Sequence, residues 1–424
     1  MTTLKEGTPN TGVTFIDLFA GCGGLSLGLI QAGWRGLFAI EHSKDAFKTF
    51  NRNFLSDDAV YNFDWPEWLP QENHDIEYVL DHYQNELKSY AKNVDLIVGG
   101  PPCQGFSSAG KRNSSDPRNK LVDLYLEFVK VINPKIVLIE NVKGLASDFS
   151  DASGKSEVTN YYNKIISNLK ENYYVSDKII DVSEYGVPQR RKRIFIIAIR
   201  RDLEFKDFEN PFDLLEANRL EFLKNKGLDI SPTTASDALS DLEIRRNGTG
   251  ASKAEARFNE IKYIRPLTKY QKVMHGDQNG KMHDTRLARH RPDIIERFKK
   301  IIELCHSTGR LNTSLSKEAK EQFGIRKAAL RVMDPASPAP TITSMPDDLL
   351  HYSEPRTLTV RESARIQSFP DWFKFEGKYT TGGERRRSEV PRFTQVANAV
   401  PPLMAEALGL TLLKLLVDKE GSSL

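Results

Sequence analysis

Short apolar runs that each stop at a glycine or a carboxylate recur through residues 14–200, and this pattern constrains the fold more than any other feature. Thr14 to Phe19 is a β-rich run interrupted by Asp17, and it empties into Ala20-Gly21-Cys22-Gly23-Gly24. Leu37 to Ile40 is capped by Glu41, and Ala59 to Phe63 reads as a third strand ending at Asp64. Asp95 to Val98 is bounded by Gly99, and Lys135 to Ile139 ends in Glu140-Asn141. Arg193 to Ile199 is rich in Ile and Phe. Unbroken apolar strands of this length are buried on both faces. Between them lie helical stretches: Leu25, Leu29 and Ile30 share one face before the stop at Gly33, and Lys120 to Ile132 is another. Strands alternating with helices predict an α/β fold with a doubly wound parallel sheet, whose ligands sit at the carboxyl ends of the strands.

The rhythm is interrupted once, by Asp75 to Ala91, where Ile76, Val79, Leu80, Tyr83 and Leu87 predict an amphipathic helix. Eight acidic residues against two lysines between Tyr61 and Gly100 suit a solvated face turned away from any polyanion. After Arg200 the alternation is lost, and basic clusters mix with Gly- and Pro-punctuated loops. We therefore expect a sheet domain over 1–200, a second, smaller domain over 201–385, and a C-terminal segment, 386–424, packing back on the first. Thr234 to Asp237 and Thr359 to Glu362 predict capping boxes, the second opening a helix closed by Pro370. Val400 to Val417 predicts an apolar helix with Pro401 and Pro402 in its first turn.

The chain has 424 residues, 28% of them charged and 39% hydrophobic, which argues for a globular protein. No apolar run approaches the ~18 residues of a membrane span, and no signal peptide is evident, so a cytoplasmic location is expected. Cys22, Cys103 and Cys305 are far apart and odd in number, offering neither a disulfide framework nor a metal site. Net charge is only +3, so affinity for a polyanion has to come from local clustering.

Cys103 lies in GGPPCQGFSSAG, where Pro101, Pro102 and nearby glycines leave the thiol in a stiff, low-bulk setting suited to a nucleophile. A buried structural cysteine is the competing reading. In a doubly wound sheet the ends of the Cys103 and Glu140 strands can face one crevice, although Glu140 can also pair with Lys143. Gln189-Arg190-Arg191-Lys192-Arg193 leads into a strand, and alternation puts Arg191 and Arg193 on one side, aimed at phosphate or a base edge. The glycine turn after Phe19, with Glu41 and Asp64 ending successive strands, suits an adenosine-type ligand.

Taken in order, FIDLFAGCGG, GGPPCQGFSSAG, ENV, QRRKR, LTVRESARIQSFP and QVANAVPP resemble the motif set of the DNA cytosine-5 methyltransferases, from about residue 13 to 410. The resemblance implies a Rossmann-like methyltransferase sheet with a target-recognition domain. It also implies a reaction that moves a methyl group from S-adenosyl-L-methionine to carbon 5 of cytosine in a specific double-stranded DNA sequence, with no metal. By the same resemblance Cys103 is the nucleophile that adds to carbon 6, while Glu140 holds ring N3 and the exocyclic amine. Arg193 and Arg191 hold the base carbonyl and neighbouring phosphates. The target base is flipped out of the duplex. Phe19, Gly21, Gly23, Glu41, Asp64, Leu121 and Asn398 fall at cofactor positions, and Ser107 at a phosphate contact. Ala397 departs from the glycine usual before Asn398. A bacterial restriction-modification role implies a cognate endonuclease acting separately, and a monomeric methyltransferase.

From Ile261 to Lys300 there are eleven Lys and Arg, three His and four acidic residues, a local excess suited to phosphates. Arg286, Arg289, His290 and Arg291 are the candidate DNA contacts, with the arginines at 385–387 as additions. A tRNA cytosine-5 methyltransferase shares the motifs, but the basic insert between QRRKR and LTVRE favours duplex DNA. A dinucleotide-dependent oxidoreductase is disfavoured by the incomplete glycine fingerprint. A catalytically dead DNA-binding protein is disfavoured by intact Cys103, Glu140, Arg191 and Arg193.

Overall fold

The computed structural model describes residues 12–102, 120–146, 161–203, 210–252, 255–276, 282–381, 385 and 389–420. Two compact units emerge from the contact pattern. The first takes the described residues of Met1–Asp181, Lys192–Arg219 and Met404–Leu424; the second takes those of Val182–Arg191 and Leu220–Leu403.

In the first unit, β1 (Thr14–Leu18), β2 (Arg35–Ile40), β3 (Leu96–Gly99), β4 (Ile136–Val142), β5 (Tyr173–Asp181) and β7 (Lys192–Arg200) form one sheet in the order β2-β1-β3-β4-β7-β5. The strand β6 (Gln189–Arg190) belongs to the second unit, where it pairs with Ala339–Pro340. The first four strands are parallel, while β7 runs antiparallel to both β4 and β5. An all-parallel sheet was expected. A short return through β6 brings β7 back beside β4 without a crossover helix, and only an antiparallel strand permits that.

Helices α1 (Gly24–Gln31), α2 (Lys44–Phe54), α3 (Ile76–His82), α4 (Gln84–Ser89), α5 (Lys120–Ile132) and α6 (Tyr161–Lys170) fill the connections. The 75–91 stretch breaks at Tyr83 into α3 and α4, yet Ile76, Val79, Leu80 and Leu87 are buried as the periodicity required. Ile16, Leu18, Ile97, Val137, Ile139 and Phe128 lie in one buried cluster. At about 25 cal/mol per Å² of apolar surface removed from water, such a cluster dominates the stability of the unit.

The predicted strand at 59–63 does not form. Phe63 instead presses its ring against Gly36 and joins Phe50, Phe54 and Trp65 in an aromatic cluster. The Asp64 N–H then donates to the Gly36 carbonyl at 2.8 Å, which fixes Asp64 at the amino end of β2.

The second unit holds α8 (Ala235–Leu239), α9 (Ile244–Asn247), α10 (Lys269–His275), α11 (Pro292–Ser307), α12 (Lys317–Gln322), α13 (Val360–Ile366) and α14 (Arg392–Asn398). It also holds a small hairpin of β8 (Thr249–Ala251) and β9 (Asn259–Ile261). Both expected capping boxes are present, Thr234 with Asp237 and Thr359 with Glu362. The LTVRESARIQSFP block is core rather than surface. Arg365 is fully buried between Asp241 at 2.7 Å and Asp371 at 2.6 Å, and Arg356 grips Glu362 with two 2.8 Å hydrogen bonds. Charges this deep persist only when every partner is in place, so this block sets the geometry of the unit.

Two further long helices are α7 (Pro211–Asn225) and α15 (Pro402–Glu420). The stretch Arg392–Leu416, spanning α14 and much of α15, is long and apolar enough to cross a membrane, contrary to the sequence expectation. Two-thirds of its most apolar window (67%) is buried within the protein, which accounts for that composition as core. Within the first unit, the Trp34 indole N–H donates to the Gly409 carbonyl on α15 at 2.9 Å.

Candidate active site

The carboxyl edge of the sheet is built from backbone turns that the sequence makes possible. Chain direction reverses after β1 through Phe19 (φ 60°), Gly21 (φ 58°) and Gly23 (φ 91°). A Cβ on Gly23 would run into the Phe54 ring and come within 3.1 Å of Phe50, so only glycine fits. Glu41, one residue past β2, accepts the Gly21 N–H at 2.8 Å on one oxygen and the Ser43 N–H at 2.7 Å on the other. Burial raises its carboxyl pKa, against the lowering effect of those two N–H donors. The Phe19 ring stacks on Tyr125 of α5 at 6.5 Å, and Leu121 lies one helical turn before Tyr125.

Asp64 does not join this edge. It makes an exposed ion pair with Arg35, at the opposite end of β2 from Glu41. The acid that does reach the edge is Asp75, which was read only as the start of an amphipathic helix. The His74 N–H donates to the Glu41 carbonyl at 2.9 Å, which anchors the loop there. Asp75 caps α3 by accepting the Glu77 N–H at 2.9 Å, and its other oxygen lies 3.2 Å from His42 Nδ1. The available signal was an acid immediately before an apolar helical run.

One buried carboxyl lies beneath the turn. Among the described residues, Asp17 accepts the Ser26 hydroxyl at 2.5 Å on one oxygen and no hydrogen bond on the other, and burial pushes its pKa up to about 7. The hydroxyl of fully buried Tyr125 also lacks a hydrogen-bond partner among the described residues.

Two strands along, the end of β3 is locked to the end of β4. The Asn141 amide donates to the Pro101 carbonyl at 2.9 Å. Gly100 sits so close to Glu140 that an added Cβ would lie 3.2 Å from its carbonyl and 3.3 Å from its carboxylate. Glu140 is 8% exposed and pairs with Arg193 Nε at 3.0 Å, not with Lys143. The antiparallel register of β4 and β7, with Val142 opposite Arg193, puts the two side chains in reach. Cys103 and Ser107 lie outside the described residues.

Arg191 and Arg193 take different partners despite their two-residue spacing. Arg191 is 2% exposed within the second unit, where it donates to the Ala399 carbonyl at 3.4 Å. Gln189 and Gln367 hydrogen-bond each other there, and Gln367 also donates to Ala399. Asn398 is exposed at the end of α14, and Ala397 lies inside that helix, where alanine is as acceptable as glycine.

The three arginines proposed for DNA also separate. Arg286 is mostly buried, paired with Glu255 at 3.0 Å and held between the rings of Phe258 and Tyr379. That burial lowers its pKa. Arg289 and Arg291 are exposed. Of the 385–387 triplet only Arg385 is described. Among the described residues no group of His, Cys, Asp and Glu has the arrangement of a metal site.

A mostly parallel sheet with a glycine turn, two acids beyond the end of β2 and a Glu–Arg pair between β4 and β7 has the ligand-binding edge of a Rossmann-like fold. Residues 13–414 match the family model for C-5 cytosine-specific DNA methylases, and the chain belongs to that family. It is 32% identical over 411 residues to the type II methyltransferase M.DdeI of Desulfomicrobium norvegicum, covering 93% of this chain and 87% of the relative. It is 30% identical over 458 residues to M.AgeI of Thalassovita gelatinovora, covering 94% and 98%. Its fold is similar to a chain described as a prophage-encoded DNA modification methyltransferase from E. coli (TM-score 0.62, 24% identity, 96% and 100% covered). It is also similar to S. pombe Dnmt2 (TM-score 0.51, 14% identity, 97% and 100% covered). The protein is therefore a C-5 cytosine DNA methyltransferase.

Proposed function

We propose that this enzyme methylates cytosine within one specific double-stranded DNA sequence, as the modification member of a restriction-modification pair, with S-adenosyl-L-methionine as donor. The observation that carries this reading is the Glu140–Arg193 pair, held against Gly100 and Pro101 on the sheet edge that also presents Gly21, Glu41 and Asp75. The donor-binding chemistry fits that edge. Glu41 is positioned to accept from ribose hydroxyls, Phe19 offers an aromatic ring, Leu121 adds apolar contact, and the Gly21 to Gly23 turn admits the amino-acid tail. Asp75 replaces Asp64 as the acceptor for the adenine amine, because Asp64 lies at the wrong end of β2. The bound sulfonium supplies an electrophilic methyl group.

Carbon 5 of cytosine is too weak a nucleophile to take that methyl group unaided. Addition of the Cys103 thiolate to carbon 6 would form a C–S bond and move electron density onto carbon 5, which would bond to the methyl carbon as the methyl–sulfonium bond breaks and S-adenosylhomocysteine leaves with the electron pair. Glu140 hydrogen-bonds ring N3 and the exocyclic amine, stabilising the charge that develops as sulfur adds. Arg193 fixes Glu140 and holds the base carbonyl. Loss of the carbon-5 proton to a base expels the thiolate and restores the ring. The carbons attacked are hidden in a duplex, so the base is flipped out to react. Arg191 is assigned to the base and Asn398 to the cofactor by the family resemblance alone. We place the enzyme in the cytoplasm as a monomer, with its endonuclease separate.

The test is a duplex carrying 5-fluorocytosine at the target, where the missing carbon-5 proton blocks release of the thiolate. The wild-type protein should form an irreversible adduct and Cys103→Ala none. Active enzyme that forms no adduct overturns the covalent scheme. Bisulfite sequencing of host DNA identifies the site, and labelled methyl transfer to tRNA instead of DNA would overturn the substrate assignment.

A further inference from the structure

The basic segment after Asp284 divides its arginines between two jobs. Residues 285–287 add to the β8–β9 hairpin: Ile261 N–H donates to Thr285 at 3.1 Å, and Leu287 N–H donates to Asn259 at 2.8 Å. On this strand Arg286 sits between two rings, its guanidinium carbon 4.0 Å from the Phe258 centroid and 3.7 Å from that of Tyr379. Tyr379 is in turn backed by Arg392 at 4.4 Å, which Asp284 holds at 2.6 Å. Arg286 is therefore the middle layer of a stack tied to the buried ionic core, and it is only 12% exposed.

This clamp forms part of a cleft of about 750 Å³, whose lining includes Arg286 with Phe258 and Tyr379, and beyond them Phe393, Arg289, His290 and Arg291. His290 faces inward, against Thr357 at 3.3 Å and the edge of the Phe298 ring. Among the described residues Arg291 has one ion pair, solvent-exposed, with Asp293, a contact that a phosphate can replace. Arg289 is exposed with no ion-pair partner among the described residues. The one carboxylate among the lining residues, Asp347, is neutralised by Lys327 at 2.8 Å. The cleft therefore presents net positive charge beside aromatic surface, complementary to a phosphodiester backbone.

We propose that Arg289 and Arg291 grip the backbone of the DNA substrate, and that Arg286, its guanidinium already held by Glu255 and two rings, is a positioning residue that sets the course of the segment carrying them. This rests on duplex DNA being the substrate. A guanidinium is required at 286 because only a flat cation fills the space between two rings, so charge alone does not suffice.

The test measures binding of a target duplex to the full-length protein across a range of salt, with S-adenosylhomocysteine affinity measured in parallel. Arg289→Ala and Arg291→Ala should each lower the slope of log affinity against log salt by about 0.9, one phosphate each, with homocysteine-analogue binding unchanged. Arg286→Lys and Arg286→Gln should lose DNA affinity equally, at least tenfold, because lysine keeps the charge but not the stack. Tyr379→Leu should reproduce that loss. Unchanged slopes in both Arg289→Ala and Arg291→Ala overturn the surface assignment. Wild-type behaviour of Arg286→Lys beside a defective Arg286→Gln makes Arg286 a direct contact and overturns its positioning role. Equal loss of DNA and S-adenosylhomocysteine binding in the Arg286 and Tyr379 variants also overturns it, as a general folding role. A wild-type protein that methylates no duplex refutes the substrate reading instead, which none of these outcomes mimics.

Discussion

Replacing Asp75 and Asp64 separately by serine tests which acid meets the adenine. Serine caps a helix about as well as aspartate, so Asp75→Ser keeps the Glu77 N–H satisfied while removing the carboxylate. A hydrogen bond to a charged group contributes about 1.5–3 kcal/mol, so the dissociation constant for S-adenosylhomocysteine should rise roughly 10- to 100-fold. Asp64 stands beside Gly36, and Gly36 is separated from Glu41 by about 16 Å of extended chain. Its pair with Arg35 is 43% exposed on both sides, a setting in which ion pairs contribute about 0–1 kcal/mol of stability. Asp64→Ser should therefore leave the dissociation constant within about twofold. Titration calorimetry on both variants, with unfolding midpoints measured alongside, decides the matter. A tenfold loss in Asp64→Ser with none in Asp75→Ser would refute the placement of the adenine.

Other outcomes follow from the same geometry. Glu140→Gln removes the partner of Arg193 and should slow methyl transfer at least 100-fold in a single-turnover assay, while DNA affinity changes by less than about threefold. Gly23→Ala combines left-handed strain with overlap of the Phe54 ring and should cost about 2–4 kcal/mol in denaturant melts; Gly21→Ala, with open space around its Cβ, should cost about 1–2. The Asp17 carboxyl is raised in the fold from 3.8 to about 7, so its stabilising effect is complete below pH 4 and is lost as pH rises through 7. Between pH 5 and 8 that loss amounts to about 2–3 kcal/mol. Asp17→Asn should flatten the stability profile over this window, and an unchanged profile would show that Asp17 is already ionised at pH 5.

The parts of the fold governed by local pattern were readable from the chain. Buried strands such as 96–99 and 136–142 announce themselves by continuous apolar residues, and both capping boxes by two side chains at fixed spacing. The strand expected at 59–63 is absent for a non-local reason: Phe63 is apolar because Gly36 leaves room for its ring, not because a strand passes through it. Asp75 escaped notice because its importance depends on a hydrogen bond from His74 to Glu41. Likewise, Arg286, Arg289 and Arg291 look equivalent in sequence, and only the two flanking rings distinguish the first. The partner of Glu140 was missed because the antiparallel return of β7, and so the approach of Arg193, is a property of topology.

The contact between Trp34 and Gly409 joins positions 375 residues apart in the sequence. A ribosome must therefore translate past Gly409, 375 residues after Trp34, before the indole has its cover. Until then the glycine turn and its neighbouring acids rest on an unfinished wall, so a nascent or prematurely terminated chain should neither hold the methyl donor firmly nor modify DNA.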